Sequence, residues 1–271
     1  MVSTAIDLQT KKVVNLATTH KIVLIMEYDG TNYHGFQLQA SLPTIQGAVE
    51  KALWKLTREK TRVMTASRTD AGVHAKGQVV SFRTKSPLPP QTFINGLNYY
   101  LPRDIAVKSA HRVRDSFNVR RHALSREYSY YILNSLTRSP MREGFCYRIA
   151  GHLDIDSMNR ACQALIGEHD FASFASSTGV SIKSTVRRVY RAKMEKDGEL
   201  VVFNIVANSF LPHQVRNTVG SLIRIGLGKM SVDEFHRIIE AKKLGLAGPA
   251  APACGLRLMQ VNYPHPLEEE I

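Results

Sequence analysis

The residues with the clearest chemical potential form one short loop that carries a single carboxylate. The segment from Arg68 to Ala75 reads RTDAGVHA and lies between two runs with β-strand character, and Asp70 follows the cation Arg68 by two residues. Gly72 permits backbone geometry that other residues resist, and a loop between strands can project a side chain into a cleft. This spacing makes Asp70 a candidate catalytic residue.

Two interpretations of Asp70 follow from elementary chemistry. A carboxylate is ionised near neutral pH, so it can act as a nucleophile without a partner base, and a neighbouring Arg favours its charged form. Alternatively, Asp70 is a turn residue that accepts hydrogen bonds from its own backbone, as Asp often does in loops that contain Gly. The spacing alone leaves both interpretations open.

The charge balance indicates a polyanionic partner. The chain of 271 residues holds 36 Lys and Arg against 23 Asp and Glu, a formal net charge of +13. Such a surface attracts and concentrates polyphosphate, as nucleic-acid-binding proteins do. A generic basic protein with no such partner has the same composition, so charge by itself does not decide the class.

Arginines and tyrosines are interleaved in one stretch of the middle of the chain. Residues 111–131 read HRVRDSFNVRRHALSREYSYY and include Arg120, Arg126 and Tyr128. Arginines contact phosphates and aromatic rings stack on exposed bases. In a strand Tyr128 and Tyr130 share one face while Tyr131 points to the other, so at most two of these rings can line one site. The alternative is a strand with aromatic core packing beside a solvated basic loop.

A second arginine of interest stands late in the chain. Arg216 follows Phe210-Leu211-Pro212-His213-Gln214-Val215 and is flanked by the apolar Val215 and Val219. This pattern predicts a partly buried arginine near a helix start, and a buried guanidinium requires a carboxylate. An exposed surface arginine is the alternative.

Other kinds of site are disfavoured by spacing. The histidines show no H-E-x-x-H arrangement, and Asp70 with His74 supplies two of the three or more ligands that a metal needs. Gly226-Leu227-Gly228-Lys229 is followed by Met230 rather than Ser or Thr, so it is not a phosphate-binding loop. No G-x-S-x-G elbow is present. We therefore expect neither a metal nor a nucleotide cofactor.

The cysteines, the apolar runs and the first residues bear on the cellular compartment. Cys146, Cys162 and Cys254 are scattered, without a C-x-x-C pair, which argues against a disulfide framework. No run reaches the ~18 apolar residues of a membrane span, and residues 1–20 lack the apolar core of a signal peptide. We expect no membrane association and a cytoplasmic protein.

Hydrophobic periodicity and turn residues predict the elements that must position these groups. Strands are expected at 21–29, 61–67, 77–84, 104–110, 126–134, 186–196, 199–208 and 256–263, and helices at 44–59, 90–100, 154–166, 213–227 and 232–243. The 186–208 pair is a hairpin around Asp197-Gly198. Hairpins outnumber alternating strand–helix units, which favours an α+β class with antiparallel sheet.

Together these segments resemble the TruA family of tRNA pseudouridine synthases, over about residues 21 to 263. The motifs that carry the resemblance are Tyr28-Asp29-Gly30-Thr31, Gly35-Phe36-Gln37, Thr44-Ile45-Gln46-Gly47, Arg68 to Ala75, Phe117-Asn118-Val119-Arg120, Arg126-Glu127-Tyr128-Ser129-Tyr130, Phe210 to Arg216 with Gly220, Gly255-Leu256 and Val261-Asn262-Tyr263. The chain departs from the family pattern at Ser67, where Gly is common, and at His213-Gln214, where a basic residue and Met are common.

The resemblance implies a set of roles. Asp70 would be the essential nucleophile, and Arg216 would pair with it. Arg68 would help to flip or hold the target nucleotide, and Tyr128 would stack on the uracil and be placed to assist proton transfer. Two arginines of the 111–131 stretch, the arginine band, are added to this set. The expected substrate-binding residues are then Tyr128, Arg68, Arg216, Arg126 and Arg120. The substrate would be uridine at positions 38, 39 and 40 of the anticodon stem-loop of tRNA.

The resemblance also implies an architecture and an assembly. The fold would be α+β, in two halves that each carry a mostly antiparallel sheet with helices packed on one face, and the halves would meet around a basic central cleft. We assign residues 1–20 to a poorly ordered extension, 21–112 to the N-terminal half and 113–271 to the C-terminal half. Family members act as homodimers and need no cofactor or metal.

Two rival functions stay open at this stage. A non-catalytic RNA-binding module would use the same basic surface and leave Asp70 as a turn residue. A pseudouridine synthase with a different RNA target would share the Asp70 loop, and only its pattern of modified sites would differ.

Overall fold

One continuous sheet runs through the whole fold. The computed structural model describes residues 19–176 and 184–267, and the predicted extension at 1–20 lies outside them up to residue 18. The strands are β1 His20–Tyr28, β2 Met64–Thr65, β3 His74–Thr84, β4 Ile105–Val113, β5 Ser125–Asn134, β6 Tyr147–Ile149, β7 Gly167–Asp170, β8 Val186–Asp197, β9 Leu200–Ala207 and β10 Leu256–Asn262. The helices are α1 Ile45–Thr57, α2 Pro90–Tyr100, α3 Ile155–Gln163, α4 Gln214–Gly226 and α5 Val232–Ala241.

The sheet order joins the two predicted halves. The strands follow the order β4-β1-β3-β10-β5-β9-β8-β7, with β2 beside β3 and β6 beside β5. Every pairing is antiparallel except β10 with β3 and β6 with β5. The predicted α+β class with a mostly antiparallel sheet is therefore confirmed. The last strand, β10, connects the strands of residues 20–113 with those of residues 125–207, because it pairs with β3 on one side and β5 on the other.

Local sequence explains the element boundaries. Thr44 caps α1 by accepting a hydrogen bond at Oγ1 from the backbone N–H of Gly47 at 3.2 Å. Ser231 caps α5 in the same way through the N–H of Glu234. Apolar residues at helical spacing face inward, and α1 buries four of them, Ile45, Val49, Ala52 and Leu53.

The predicted strand at 61–67 is the clearest local error. Only Met64 and Thr65 pair with β3 as a strand. Before them the backbone N–H of Val63 donates to the Glu50 carboxylate at 3.1 Å, and after them the N–H of Ala66 still donates to the carbonyl of Val79 at 2.9 Å. The short strands β6 and β7 were not predicted. β7 reads GEHD, and four mostly polar residues carry no strand periodicity.

The register of β10 sets the geometry of the site. Arg257 lies opposite His74 at the start of β3, and Leu258 lies opposite Tyr128 on β5. The loop that precedes β3 and the tyrosine strand are therefore neighbours across a single strand. Apolar side chains of both halves form one continuous buried core beneath this junction.

Candidate active site

The loop between β2 and β3 holds Asp70 through contacts to the first part of the chain. The backbone N–H of Phe36 donates to the carbonyl of Thr69 at 3.0 Å, and the Thr69 hydroxyl lies 2.8 Å from the Tyr28 hydroxyl. The N–H of Val73 closes a turn on the carbonyl of Asp70 at 3.1 Å. The loop is thus fixed on both sides of Asp70, while the Asp70 side chain stays 31% exposed.

Two glycines make this packing possible. Gly35 adopts φ +86°, and a Cβ atom there would stand 2.7 Å from the carbonyl oxygen of Thr69. Gly72 adopts φ +75° inside the loop. Both positions need a residue without a side chain, because positive φ and a close backbone approach each penalise a Cβ atom.

The carboxylate of Asp70 faces two nitrogen-bearing side chains from the opposite half. Arg216 Nη1 lies 3.4 Å from Asp70 Oδ2, and His213 Nε2 lies 3.6 Å from the same oxygen. Arg216 is 17% exposed, and its Nε also donates to the carbonyl of Ala251 at 2.8 Å. The guanidinium is therefore held in place by the backbone and stabilises a negative charge on Asp70.

His213 occupies an unusual backbone conformation. It stands directly before α4 with φ +61°, in the left-handed region that costs a non-glycine residue about 1 kcal/mol. Gln214 Oε1 accepts from the backbone N–H of Leu211 at 2.8 Å and so closes the turn that leads into the helix. This turn directs both His213 and Arg216 toward Asp70.

Tyr128 completes the cluster from β5. Its hydroxyl lies 3.0 Å from Ser67 Oγ, and its ring contacts Phe210 edge-to-face with centroids 5.2 Å apart. Burial raises the pKa of Tyr128 to about 12, partly offset by the hydrogen bond with Ser67, and the Asp70 charge adds to the increase. The phenol is thus held neutral near the carboxylate and keeps its proton at physiological pH.

Tyr130 shares a face with Tyr128, as strand periodicity predicts, but lies deeper. It is fully buried, and its hydroxyl donates to the carbonyl of Pro252 at 2.7 Å. Tyr131 is partly exposed and lies under the guanidinium of Arg257, 4.0 Å from the ring centroid. Of the three tyrosines, Tyr128 is the one that the loop of Asp70 contacts.

Arg126 is placed differently from the other arginines of its band. It is 5% exposed, and its guanidinium donates to four backbone carbonyls, those of Ala66, Arg120, Ala123 and Asn208, at 2.7 to 3.2 Å. Burial is the main influence on the pKa of the Arg126 guanidinium, and it lowers that pKa. The side chain ties the entry of the Asp70 loop to the 120–123 segment and to the end of β9. Its hydrogen bonds are directed at the protein backbone rather than outward.

We expect replacement of Arg126 by Met to destabilise the fold by about 3 kcal/mol or more, because four buried carbonyls lose their donor. Urea unfolding measures this as a lower midpoint. Arg126→Lys is the matched control that keeps the charge and reaches fewer carbonyls, and it should fall between wild type and Arg126→Met. A variant with unchanged stability and weakened, less salt-dependent RNA binding would instead identify Arg126 as a phosphate contact.

Arg68 and Arg120 are both exposed. Arg68 directly precedes Thr69 in the Asp70 loop, and the backbone N–H of Arg120 donates to the side chain of Asn118 at 3.0 Å. These two arginines are therefore available to solvent, in contrast to Arg126.

His74 lies directly behind the loop. Its Nε2 is 3.1 Å from the carbonyls of both Gly144 and Cys254, and its Nδ1 accepts from the N–H of Gly30 at 3.1 Å. Burial lowers its pKa, although the Asp29 carboxylate, 3.0 Å from Nδ1, acts in the opposite direction. The ring thus connects the loop after β1 with the segments before β6 and β10, directly after the Asp70 loop.

A pH dependence of stability follows from His74. Its folded-state pKa lies below the unfolded value of about 6.5, so the unfolded chain binds more protons as the pH falls through that value. The free energy of unfolding should therefore decrease from pH 7 toward pH 5. Denaturant titrations of wild type and His74→Gln at several pH values measure this, and the variant should show a flatter dependence. An equal slope in the variant would contradict the assignment.

Sequence reasoning did not assign His213, Ser67 or His74 to the site. Ser67 and His213 stood out in the sequence only because they depart from the family pattern. Their roles could not be predicted, because each contacts a residue from a distant segment of the chain. His74 stands four residues after Asp70 in the same motif, and only its buried contacts reveal its supporting role.

The cluster offers one carboxylate, one fixed guanidinium, one imidazole and one phenol. Hydrolysis of a glycosidic bond normally uses two carboxylates, and within residues 19–176 and 184–267 only Asp70 forms ion pairs with Arg216 and His213. No group of three His, Cys, Asp or Glu side chains in those residues is arranged to hold a metal ion. None of the helices there is long and apolar enough to cross a membrane.

Comparison with known proteins agrees with this arrangement. A family model described as tRNA pseudouridine synthase matches residues 24–120 and 161–264, which is more than half of the chain. The chain is 43% identical over 242 residues to tRNA pseudouridine synthase A of Acetivibrio thermocellus, covering 89% of this chain and 99% of that protein. It is 41% identical to the proteins of the same name from Methylacidiphilum infernorum and Francisella tularensis, covering 89% of this chain and 94% and 93% of theirs. The chain therefore belongs to the tRNA pseudouridine synthase family.

Proposed function

We propose that this protein isomerises uridine to pseudouridine in tRNA, with Asp70 as the essential nucleophile. The observation that carries the proposal is the pairing of a partly exposed Asp70 carboxylate with Arg216 at 3.4 Å. Arg216 places a positive charge beside this carboxylate, and a carboxylate nucleophile needs no partner base. A turn residue would satisfy its own backbone instead of facing a guanidinium from the other half of the chain.

The reaction conserves all atoms. The bond between uracil N1 and ribose C1′ breaks, the uracil turns, and a bond forms between C5 and C1′, while the hydrogen on C5 leaves and N1 gains one. Asp70 can attack the uracil ring, attack C1′, or support elimination at the sugar, and a single carboxylate serves each route. We assign Tyr128, whose pKa the charge of Asp70 helps to raise, to the contact with the uracil and to the transfer of the C5 proton.

The target uridine must first leave its stack, which costs a few kcal/mol, on the order of one stacking and pairing interaction. We assign Arg68 and Arg120 to the phosphate and nucleotide contacts that offset this cost, because both residues are exposed. Arg216 holds Asp70, and Arg126 acts on the site indirectly, by fixing the backbone that carries it.

We further propose the anticodon stem-loop, at positions 38, 39 and 40, as the target, and a cytoplasmic homodimer as the active form. The basic charge of +13 and the meeting of the two halves at Asp70 support a basic cleft that receives the RNA. Sedimentation velocity tests the dimer as a particle with twice the mass of one chain. The reaction itself involves only the uridine and the side chains named above.

Release of tritium from tRNA labelled at uracil C5 tests the function directly, because that hydrogen must leave when C5 bonds to the sugar. Wild-type protein should release it in proportion to the number of modified uridines. Binding of tRNA without release would identify a non-catalytic RNA-binding module. Release from another RNA and none from tRNA would identify a pseudouridine synthase with a different target.

A further inference from the structure

Ser67 stands at the entry to the Asp70 loop on a fixed backbone. Its carbonyl accepts hydrogen bonds from Gln78 Nε2 at 2.7 Å and from the Thr65 hydroxyl at 3.0 Å. Gln78 is fully buried, and its Nε2 also donates to the Tyr28 hydroxyl at 3.2 Å. Two donors on one carbonyl leave the Ser67 backbone little freedom to shift.

The side chain of Ser67 points to the other half of the molecule. Its Oγ lies 3.0 Å from the hydroxyl of Tyr128, whose ring is packed edge-to-face on Phe210. Tyr128 is 6% exposed, and Ser67 is the one hydrogen-bond partner of its hydroxyl within residues 19–176 and 184–267. The direction of the phenolic hydroxyl is therefore set by Ser67.

We propose that Ser67 is a positioning residue for the isomerisation, which orients the Tyr128 hydroxyl relative to Asp70 and the bound uracil. The inference rests on the proposed function. A fixed hydroxyl group presents its proton or lone pair to the substrate in one orientation. The hydrogen bond from Ser67 also stabilises negative charge that develops on the phenol oxygen. Ser67 acts through Tyr128 and does not itself contact the reacting atoms.

Kinetics of Ser67→Ala test the proposal. We expect kcat for tritium release to fall about 10-fold, the size of one hydrogen bond to a group that develops charge, with KM for tRNA unchanged. Ser67→Thr keeps the hydroxyl and should restore most of kcat. A rise in KM alone, or a kcat equal to wild type in Ser67→Ala, would overturn the proposal.

A double-mutant cycle separates positioning from general support of the loop. Once Tyr128 is replaced by Phe, the hydroxyl that Ser67 orients is gone, so Ser67→Ala should cause no further loss in that background. An equal loss from Ser67→Ala with and without the Tyr128 hydroxyl would show that Ser67 acts on the loop alone and would overturn the proposal.

A measurement without RNA distinguishes failure of this inference from failure of the proposed function. Protein labelled with ¹³C at tyrosine Cζ gives one signal for each tyrosine, and the signal lost in Tyr128→Phe belongs to Tyr128. That signal should shift in Ser67→Ala and stay near its wild-type position in Ser67→Thr. An unmoved signal contradicts the hydrogen bond, whatever the catalytic activity of the wild-type protein.

Discussion

Replacement of Asp70 by Asn should abolish tritium release from C5-labelled tRNA, with a loss of at least about 10⁴-fold. Asn keeps the shape of the side chain but cannot act as an anionic nucleophile. Binding of tRNA should stay equal to wild type or become tighter, because a negative charge is removed from a surface that receives phosphates. The pair of measurements, turnover and filter binding, separates chemistry from recognition.

Asp197→Asn is a suitable control for this variant. Asp197 is the exposed last residue of β8, so the exchange removes the same charge without touching the ion pair of Asp70 with Arg216 and should leave turnover unchanged. Thermal melting of Asp70→Asn shows whether the loop still folds. Near-normal turnover by a folded Asp70→Asn protein would refute the assigned role of Asp70 and favour the turn-residue interpretation.

Replacement of Arg216 by Met should reduce kcat by about 10²- to 10³-fold, the range found when one preorganised charged donor is removed from a reacting centre. Asp70 then loses its 3.4 Å partner, and the carbonyl of Ala251 loses the donor at 2.8 Å. Arg216→Lys should recover only part of the activity, because one ammonium group cannot reproduce both contacts of the planar guanidinium. Single-turnover tritium release with saturating enzyme measures the effect on the chemical step.

Arg224→Met supplies the matched control, since Arg224 lies on the same helix two turns further on and makes none of these contacts. Arg224 is partly buried, and its side chain forms no ion pair with Asp70 in the described residues, so Arg224→Met should keep kcat within a few-fold of wild type. If Arg216→Met weakened only tRNA affinity and lowered its salt dependence by about one unit, Arg216 would be a phosphate contact rather than the partner of Asp70.

Periodicity and turn residues predicted most of the elements because both are local properties. The long helices at 45–57, 90–100, 214–226 and 232–241 begin or end within two residues of their predicted limits. The errors fall where the sequence carries little periodicity, at the shortened β2 and at the short strands β6 and β7. The parallel pairing of β10 with β3 could not be predicted, since its two members are far apart in the sequence.

The sequence by itself determined that one carboxylate, Asp70, stands in a short glycine-containing loop of a strongly basic chain, and that its motif belongs to one family. Only the tertiary structure decided which groups surround it. The contact with Arg216 joins residues 146 positions apart, and the contact of Ser67 with Tyr128 joins residues 61 apart. Arg126 and Arg120 look alike in the sequence, yet one is buried among four carbonyls and the other is exposed. Burial and pairing depend on how the sheet joins the two halves, and that arrangement arises from packing over the whole chain rather than from any local pattern.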